Sequence, residues 1–117
     1  MPTWMDISDP SPGRLKAALE FILEGRSVDC HGIGLSVSSD ASLQIYVPYS
    51  GIGGTRDDAT AQRDLARAED VIADLFARAP EFAGALGSLP RKYSLIHSDG
   101  MADVELAWFP AGKLVWL

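Results

Sequence analysis

Residues 32–49 read Gly32-Ile33-Gly34-Leu35-Ser36-Val37-Ser38-Ser39-Asp40-Ala41-Ser42-Leu43-Gln44-Ile45-Tyr46-Val47-Pro48-Tyr49, and this stretch decides the fold class. Successive side chains of a strand point to opposite faces. Ile33, Leu35 and Val37 therefore share one face, and Gly34, Ser36 and Ser38 share the other. After the polar run Ser38–Ser42 the alternation resumes with Leu43, Ile45, Val47 and Tyr49. Two alternating runs around a short polar loop predict a β-hairpin with one buried face. Pro48 has no N–H for a ladder, so the second strand ends there or lies at an edge.

A half-apolar hairpin needs a second layer, and the flanking sequence supplies helices. Upstream, Pro2, Pro10 and Pro12 punctuate a loop-like start. Ser11 followed by Pro12 has the form of an N-cap with proline at the first helical position. Leu15, Ala18, Leu19, Ile22 and Leu23 fall on one helical face, and Gly25 provides the stop. These signals predict a helix over 12–24. Downstream of the hairpin, the glycine-rich loop Ser50–Thr55 leads into a longer helix. Its apolar stripe is Ala61, Leu65, Ala68, Ile72, Leu75 and Ala79, spaced alternately by four and three. Asp57 and Asp58 at its start and Arg78 near its end match the helix dipole, and Asp74 and Arg78 form an i, i+4 pair. Pro80 interrupts it, with one further short turn predicted over 81–86.

The last third reads as sheet. Tyr93 to His97 is a strand, and Ser98-Asp99-Gly100 is a turn signal. In the next strand the alternation predicts Ala102, Val104, Leu106 and Trp108 facing inward with Asp103 and Glu105 outward. Pro110-Ala111-Gly112 then turns the chain into a final strand, Lys113 to Leu117. That register sets Trp108 and Trp116 in the core. Ala107, Phe109 and Val115 then fall on the opposite face, so the hairpin is expected to be covered on both sides. The predicted order is α-β-β-α-β-β-β. The expected fold is α+β: one domain over 1–117, with a single antiparallel sheet of about five strands and helices packed on one face.

Sixteen acidic residues against ten basic ones give a net charge of −6, and the pI is about 4.7. Such a field repels phosphate backbones and anionic lipid and attracts basic partners. Arg63 and Arg67 share a helix face, but Asp64, Asp70 and Asp74 lie on the same helix, so no basic stripe forms. Neither nucleic acid nor a membrane is an expected partner. One cysteine, Cys30, excludes an intramolecular disulfide, and the start MPTWMDISDPSPG has neither the basic nor the apolar region of a secretory signal. A cytoplasmic location is expected. Seven arginines to three lysines, abundant alanine and no asparagine suit a GC-rich bacterial genome.

Four constellations bear on chemistry. The loop Gly51-Ile52-Gly53-Gly54-Thr55-Arg56 lies between strand and helix, where phosphates are often cradled. It matches neither the dinucleotide fingerprint nor the P-loop, and Asp57 and Asp58 would repel an anion there. Asp29-Cys30-His31 places nucleophile and base on adjacent residues, which point to opposite faces, and Cys30 with distant His97 rests on residue type alone. Cys30 is therefore read as a packed apolar residue. His31, His97, Asp29, Asp99 and Asp103 lack metal-site spacing, so neither metal nor cofactor is expected. No catalytic residue is assigned.

A surface for another protein remains. In length, acidity and strand–helix order the chain resembles the small acidic bacterial immunity proteins that neutralise a cognate toxin. That resemblance implies a cytoplasmic inhibitor of a basic, nuclease-like toxin, acting by direct binding with electrostatically steered association. The expected partner-binding residues are Asp103, Glu105, Tyr46, Tyr49 and Trp4: two outward acids and three residues of types favoured at interface hot spots. Three alternatives stay open. One is an acidic secretion chaperone or other dimeric adaptor. Another is a small enzyme or ligand-binding domain using the Gly51–Thr55 loop. The third is a homodimer without catalytic function.

Overall fold

The computed structural model describes residues 4–8, 11–52, 55–98 and 103–117. The chain is α+β. Its strands are β1 (Trp4–Asp6), β2 (Ser27–Cys30), β3 (Ile33–Val37), β4 (Leu43–Pro48), β5 (Arg91–Ser98), β6 (Asp103–Trp108) and β7 (Val115–Trp116). The helices are α1 (Pro12–Leu23), α2 (Asp58–Arg78) and α3 (Pro80–Leu86), with a 3-10 turn at Pro110–Gly112.

The seven strands lie side by side in chain order. Two neighbouring pairs, β1 with β2 and β4 with β5, are parallel, and each is joined through helix. The other four pairs are antiparallel. The expected five-stranded antiparallel sheet is thus corrected to a seven-stranded mixed one. It is also a topological repeat, because β1-α1-β2-β3 and β4-α2-α3-β5-β6 share one connectivity. Nothing in the sequence echoes that repeat.

All three helices belong to one layer. α1 packs on β2 and β3, α2 on β4 and β5, and α3 against α1 and α2. Ser11 caps α1 by accepting the Arg14 N–H at 3.3 Å, with Pro12 behind it. Asp57 caps α2 by accepting the Ala59 N–H at 3.2 Å and a bond from the Thr60 hydroxyl, which holds its carboxyl below the usual range. All six members of the predicted α2 stripe are buried, and Arg78 meets Asp74 at 3.1 Å. Under the helices lie Val28, Cys30, Ile33, Leu35, Leu43, Ile45, Val47, Leu95 and Ala107. The helix-facing side of the sheet is thus the apolar side of the alternating runs of β2 to β4.

The predicted hairpin is β3–β4, and β4 stops at Pro48. In its loop the Ser38 N–H donates to Ser42 O and the Ala41 N–H to Ser38 O, both at 3.0 Å. Ala41 has φ +61°, a left-handed conformation that costs a residue with a Cβ about 1–2 kcal/mol. Glycine avoids that cost but gives back part of it in unfolded-chain entropy. Ala41→Gly is therefore expected to stabilise the fold by about 0.5–1 kcal/mol. Calorimetry measures this, and an unchanged or lowered melting temperature would contradict the turn geometry. The tight turn between β2 and β3 uses His31 at φ +52° and Gly32 at φ +85°, the pattern of a two-residue hairpin with both centres left-handed.

The inward face expected for residues 102–108 is corrected too. Leu95 pairs with Ala107 but Ile96 pairs with Glu105, so Leu106 is an extra residue, a β-bulge. One inserted residue exchanges the faces beyond it. Ala107 and Phe109 are buried, whereas Trp108 is 48% exposed and lies on the side away from the helices. Ala102 and the Asp99-Gly100 turn lie outside the described residues. The final strand is shorter than expected, and Trp116 faces the helix layer, its ring edge-on to Tyr49 at 5.8 Å.

Candidate functional site

The side of the sheet opposite the helices is uncovered among the described residues. Each strand contributes to it the residues that alternate with the core: Asp6 from β1, Asp29 from β2, Gly34 and Ser36 from β3, Gln44 and Tyr46 from β4. Lys92, Ser94 and Ile96 come from β5, Asp103, Glu105 and Trp108 from β6, and Val115 from β7. Two adjoining hollows lie along it. One, of about 550 Å3, is lined by Asp29, Gly34, Tyr46, Ile96, Asp103 and Glu105. The other, of about 490 Å3, is lined by Gln44, Lys92, Ser94, Glu105, Trp108 and Pro110 among others. Glu105 belongs to both.

Local rules set this geometry. Gly34 and Tyr46 are direct partners across β3 and β4. A Cβ on Gly34 would lie 3.3 Å from Tyr46 Cβ and 3.4 Å from its Cδ2, so the ring lies over the strand position that glycine leaves bare. Asp29 is fixed by the Gly32 N–H, which donates to Oδ1 at 3.0 Å. Glu105 accepts the indole N–H of Trp108 at 2.9 Å, which fixes both carboxylate and ring. Lys92 crosses to the β3–β4 loop, where its Nζ lies 2.6 Å from Asp40 Oδ2 and holds that carboxyl well below the usual range. Among the described residues, charge on this face is therefore carried by four carboxylates, Asp6, Asp29, Asp103 and Glu105, and by one lysine that is already paired.

Three of the five expected residues, Asp103, Glu105 and Tyr46, meet at the larger hollow. Tyr49 lies on the opposite side, buried at 7% exposure. Its hydroxyl accepts the Asp57 N–H at 3.1 Å and lies 3.4 Å from the Thr55 hydroxyl. It holds the loop to α2 instead of meeting solvent. Trp4 is placed by its backbone, which pairs in β1 with Ser27 of β2, at the sheet edge remote from β6. Five strand spacings separate β1 from β6, about 24 Å. Trp108 and Ile96 were missed. An inverted face is the signature of a bulge, and nothing in Val104-Glu105-Leu106-Ala107-Trp108 marks one.

The other constellations are occupied by structure. In the Gly51–Thr55 loop the Thr55 N–H and hydroxyl both donate to Ile52 O, at 3.0 and 2.5 Å. A Cβ on Gly51 would stand 2.4 Å from the Tyr49 ring, so the loop passes where only glycine fits. Gly53 and Gly54 lie outside the described residues. Cys30 is buried, and desolvation, followed by the charge of Asp29, pushes its thiol up to about 11, the reverse of an activated nucleophile. β3 and β4 stand between its strand and that of His97, a separation of about 14 Å. Among the described residues no three His, Cys, Asp or Glu side chains converge as metal ligands, and no helix is long and apolar enough to cross a membrane.

No family model, curated protein or solved structure matches the chain.

Proposed function

We propose that the chain is a protein-binding module that docks its helix-free sheet face on a basic surface of another protein, in the manner of an immunity protein blocking a toxin. The observation that carries this reading is the convergence of Asp29, Asp103 and Glu105 around Tyr46 and Ile96 on an exposed sheet. Residues on a paired sheet are already ordered, so docking them costs little further entropy. The negative field steers encounter with a cationic surface. A nuclease-like toxin has such a surface because its substrate is a polyanion.

The test begins with the chain as bait in a lysate of its source cell. Stopped-flow association with the purified captured protein follows. Asp103→Lys combined with Glu105→Lys is expected to slow association about tenfold at low salt and to flatten its salt dependence. Both positions are exposed, so the melting temperature should barely move. An association rate untouched by the double reversal across a salt series would sink the proposal. So would a tight mobility shift of DNA or RNA by the wild-type chain.

A further inference from the structure

We infer that the smaller hollow, walled by Trp108 and Glu105, is the receptor for an arginine side chain of the protein partner, and that Trp108 decides arginine against lysine. The inference rests on the protein-binding reading above and adds its anchor.

Trp108 is 48% exposed on a sheet face, and its strand partner Val115 is 45% exposed beside it. Such a pair is the kind of apolar surface that buries on docking. The indole N–H is spent on Glu105 Oε2 at 2.9 Å, so the ring is held and offers a binder only its π-face. Among the described residues Oε1 of Glu105 accepts no hydrogen bond, which leaves an acceptor position next to that ring. A π-face beside a fixed carboxylate matches a guanidinium, which is planar, stacks on indole and donates along its edge. An ammonium is more strongly hydrated and makes a point contact, so it gains less from the ring.

Two cations line this hollow, and each already has partners, Arg91 donating to the Tyr93 hydroxyl at 3.5 Å. Lys92 is paired with Asp40 at 2.6 Å, and the Arg91 guanidinium lies over the Phe76 ring at 5.5 Å. Asp103, Glu105 and Asp29 in and beside the adjoining hollow set the sign of the field. Buried Ser94 and the amide of Gln44 line the same hollow and offer further polar partners. The ring, the Glu105 carboxylate beside it and the carboxylates of the adjoining hollow thus point to the same occupant, a basic residue with a flat head group.

The experiment titrates acetyl-Arg-Arg-Arg-amide into the full chain at low salt and follows the tryptophan indole N–H resonances by NMR, with acetyl-Lys-Lys-Lys-amide in parallel. The Trp108 resonance is expected to move saturably, with a midpoint at least threefold lower for arginine than for lysine. The Trp116 indole, which donates to Asp58 at 2.7 Å on the other side of the sheet, should stay still. Glu105→Gln should raise the arginine midpoint at least fivefold. Glu69→Gln, the same charge change on exposed α2, should leave it within twofold. Followed through the backbone amide resonances of Glu105 and Val115, Trp108→Leu should abolish the arginine preference, and Trp108→Phe should retain part of it; the dispersed spectrum of each verifies its fold. A stationary Trp108 resonance, equal midpoints for the two peptides, or equal effects of the Glu105 and Glu69 changes would each overturn the inference. A captured partner whose binding depends on Asp103 and Glu105 but not on Trp108 would overturn it while leaving the protein-binding reading intact.

Discussion

Phe82→Ala is expected to lower the unfolding free energy by about 3–5 kcal/mol, the usual cost of emptying a buried aromatic site. Phe82 is fully buried on α3, and Leu86, one turn later, is fully buried too. α3 is only seven residues long and has no side-chain N-cap, so it cannot persist by its own propensity. Its place is determined by Pro80 at the first turn and by these two side chains, which seat it against α1 and α2. Removing the ring leaves a cavity where the three helices meet, and the short helix has little else to hold it. A domain stabilised by about 5–15 kcal/mol loses a large share of that margin. Urea unfolding with an unchanged m-value is the measurement. Phe82→Leu, which keeps most of the volume, should cost less than half as much. A loss below about 1 kcal/mol for alanine would mean that α3 lies outside the cooperative core.

The helix α3 also marks where sequence reading reaches its limit. Residues 81–86 show as one more turn because Pro80 punctuates them, but nothing local says that Phe82 carries the helix layer. The long-period signals were the legible ones. The α2 stripe is buried at every predicted position, Ser11-Pro12 starts α1, and the alternation of 33–47 is the β3–β4 hairpin. β1 was hidden because three residues between prolines carry no period. Its strand character comes from pairing with β2, more than twenty residues later, through the Ile7 N–H to Asp29 O bond at 2.7 Å and the burial of Ile7. The parallel pairs, and with them the mixed sheet, follow from such non-local contacts.

The candidate face was legible in part, and the reason is positional. Asp103 and Glu105 precede the bulge at Leu106, so plain alternation places them outward; Trp108 follows it and is inverted. Tyr46 and Tyr49 are three residues apart, and odd spacing on one strand separates their faces. Tyr49 already aligned with Leu43, Ile45 and Val47, and the structure buries all four together. A tyrosine in register with a buried stripe is better read as core whose hydroxyl has found a polar partner. Aromatics on the open face are instead found out of register, as half-buried Tyr46 is, or after an irregularity, as Trp108 is.

The second large effect is expected from a carboxylate that composition alone would assign to solvent. Asp64 sits on α2 one position before Leu65 of the apolar stripe and is buried at 8% exposure. Its two oxygens each accept one bond from the same residue, Oδ2 from the Ser50 N–H and Oδ1 from the Ser50 hydroxyl, both at 2.8 Å. This double contact ties the end of β4 to the second turn of α2. Between the two points, the loop is held further by Tyr49, whose hydroxyl accepts the Asp57 N–H. Hydrogen bonds to a charged group contribute about 1.5–3 kcal/mol, so Asp64→Ala is expected to cost about 2 kcal/mol. Asp64→Asn keeps one acceptor oxygen and should cost roughly half of that, as should Ser50→Ala, which removes the hydroxyl bond and leaves the N–H bond. The double mutant Asp64→Ala, Ser50→Ala should then cost less than the sum of its parts by about 1 kcal/mol, because the hydroxyl bond is shared. Strictly additive losses in denaturant unfolding, or a cost below about 0.5 kcal/mol for Asp64→Ala, would show that the loop is held by Tyr49 and its neighbours alone. The Asp64 clamp lies on the helix side and Glu105 on the other face, so these variants should leave the Trp108 resonance and its response to the arginine peptide unchanged.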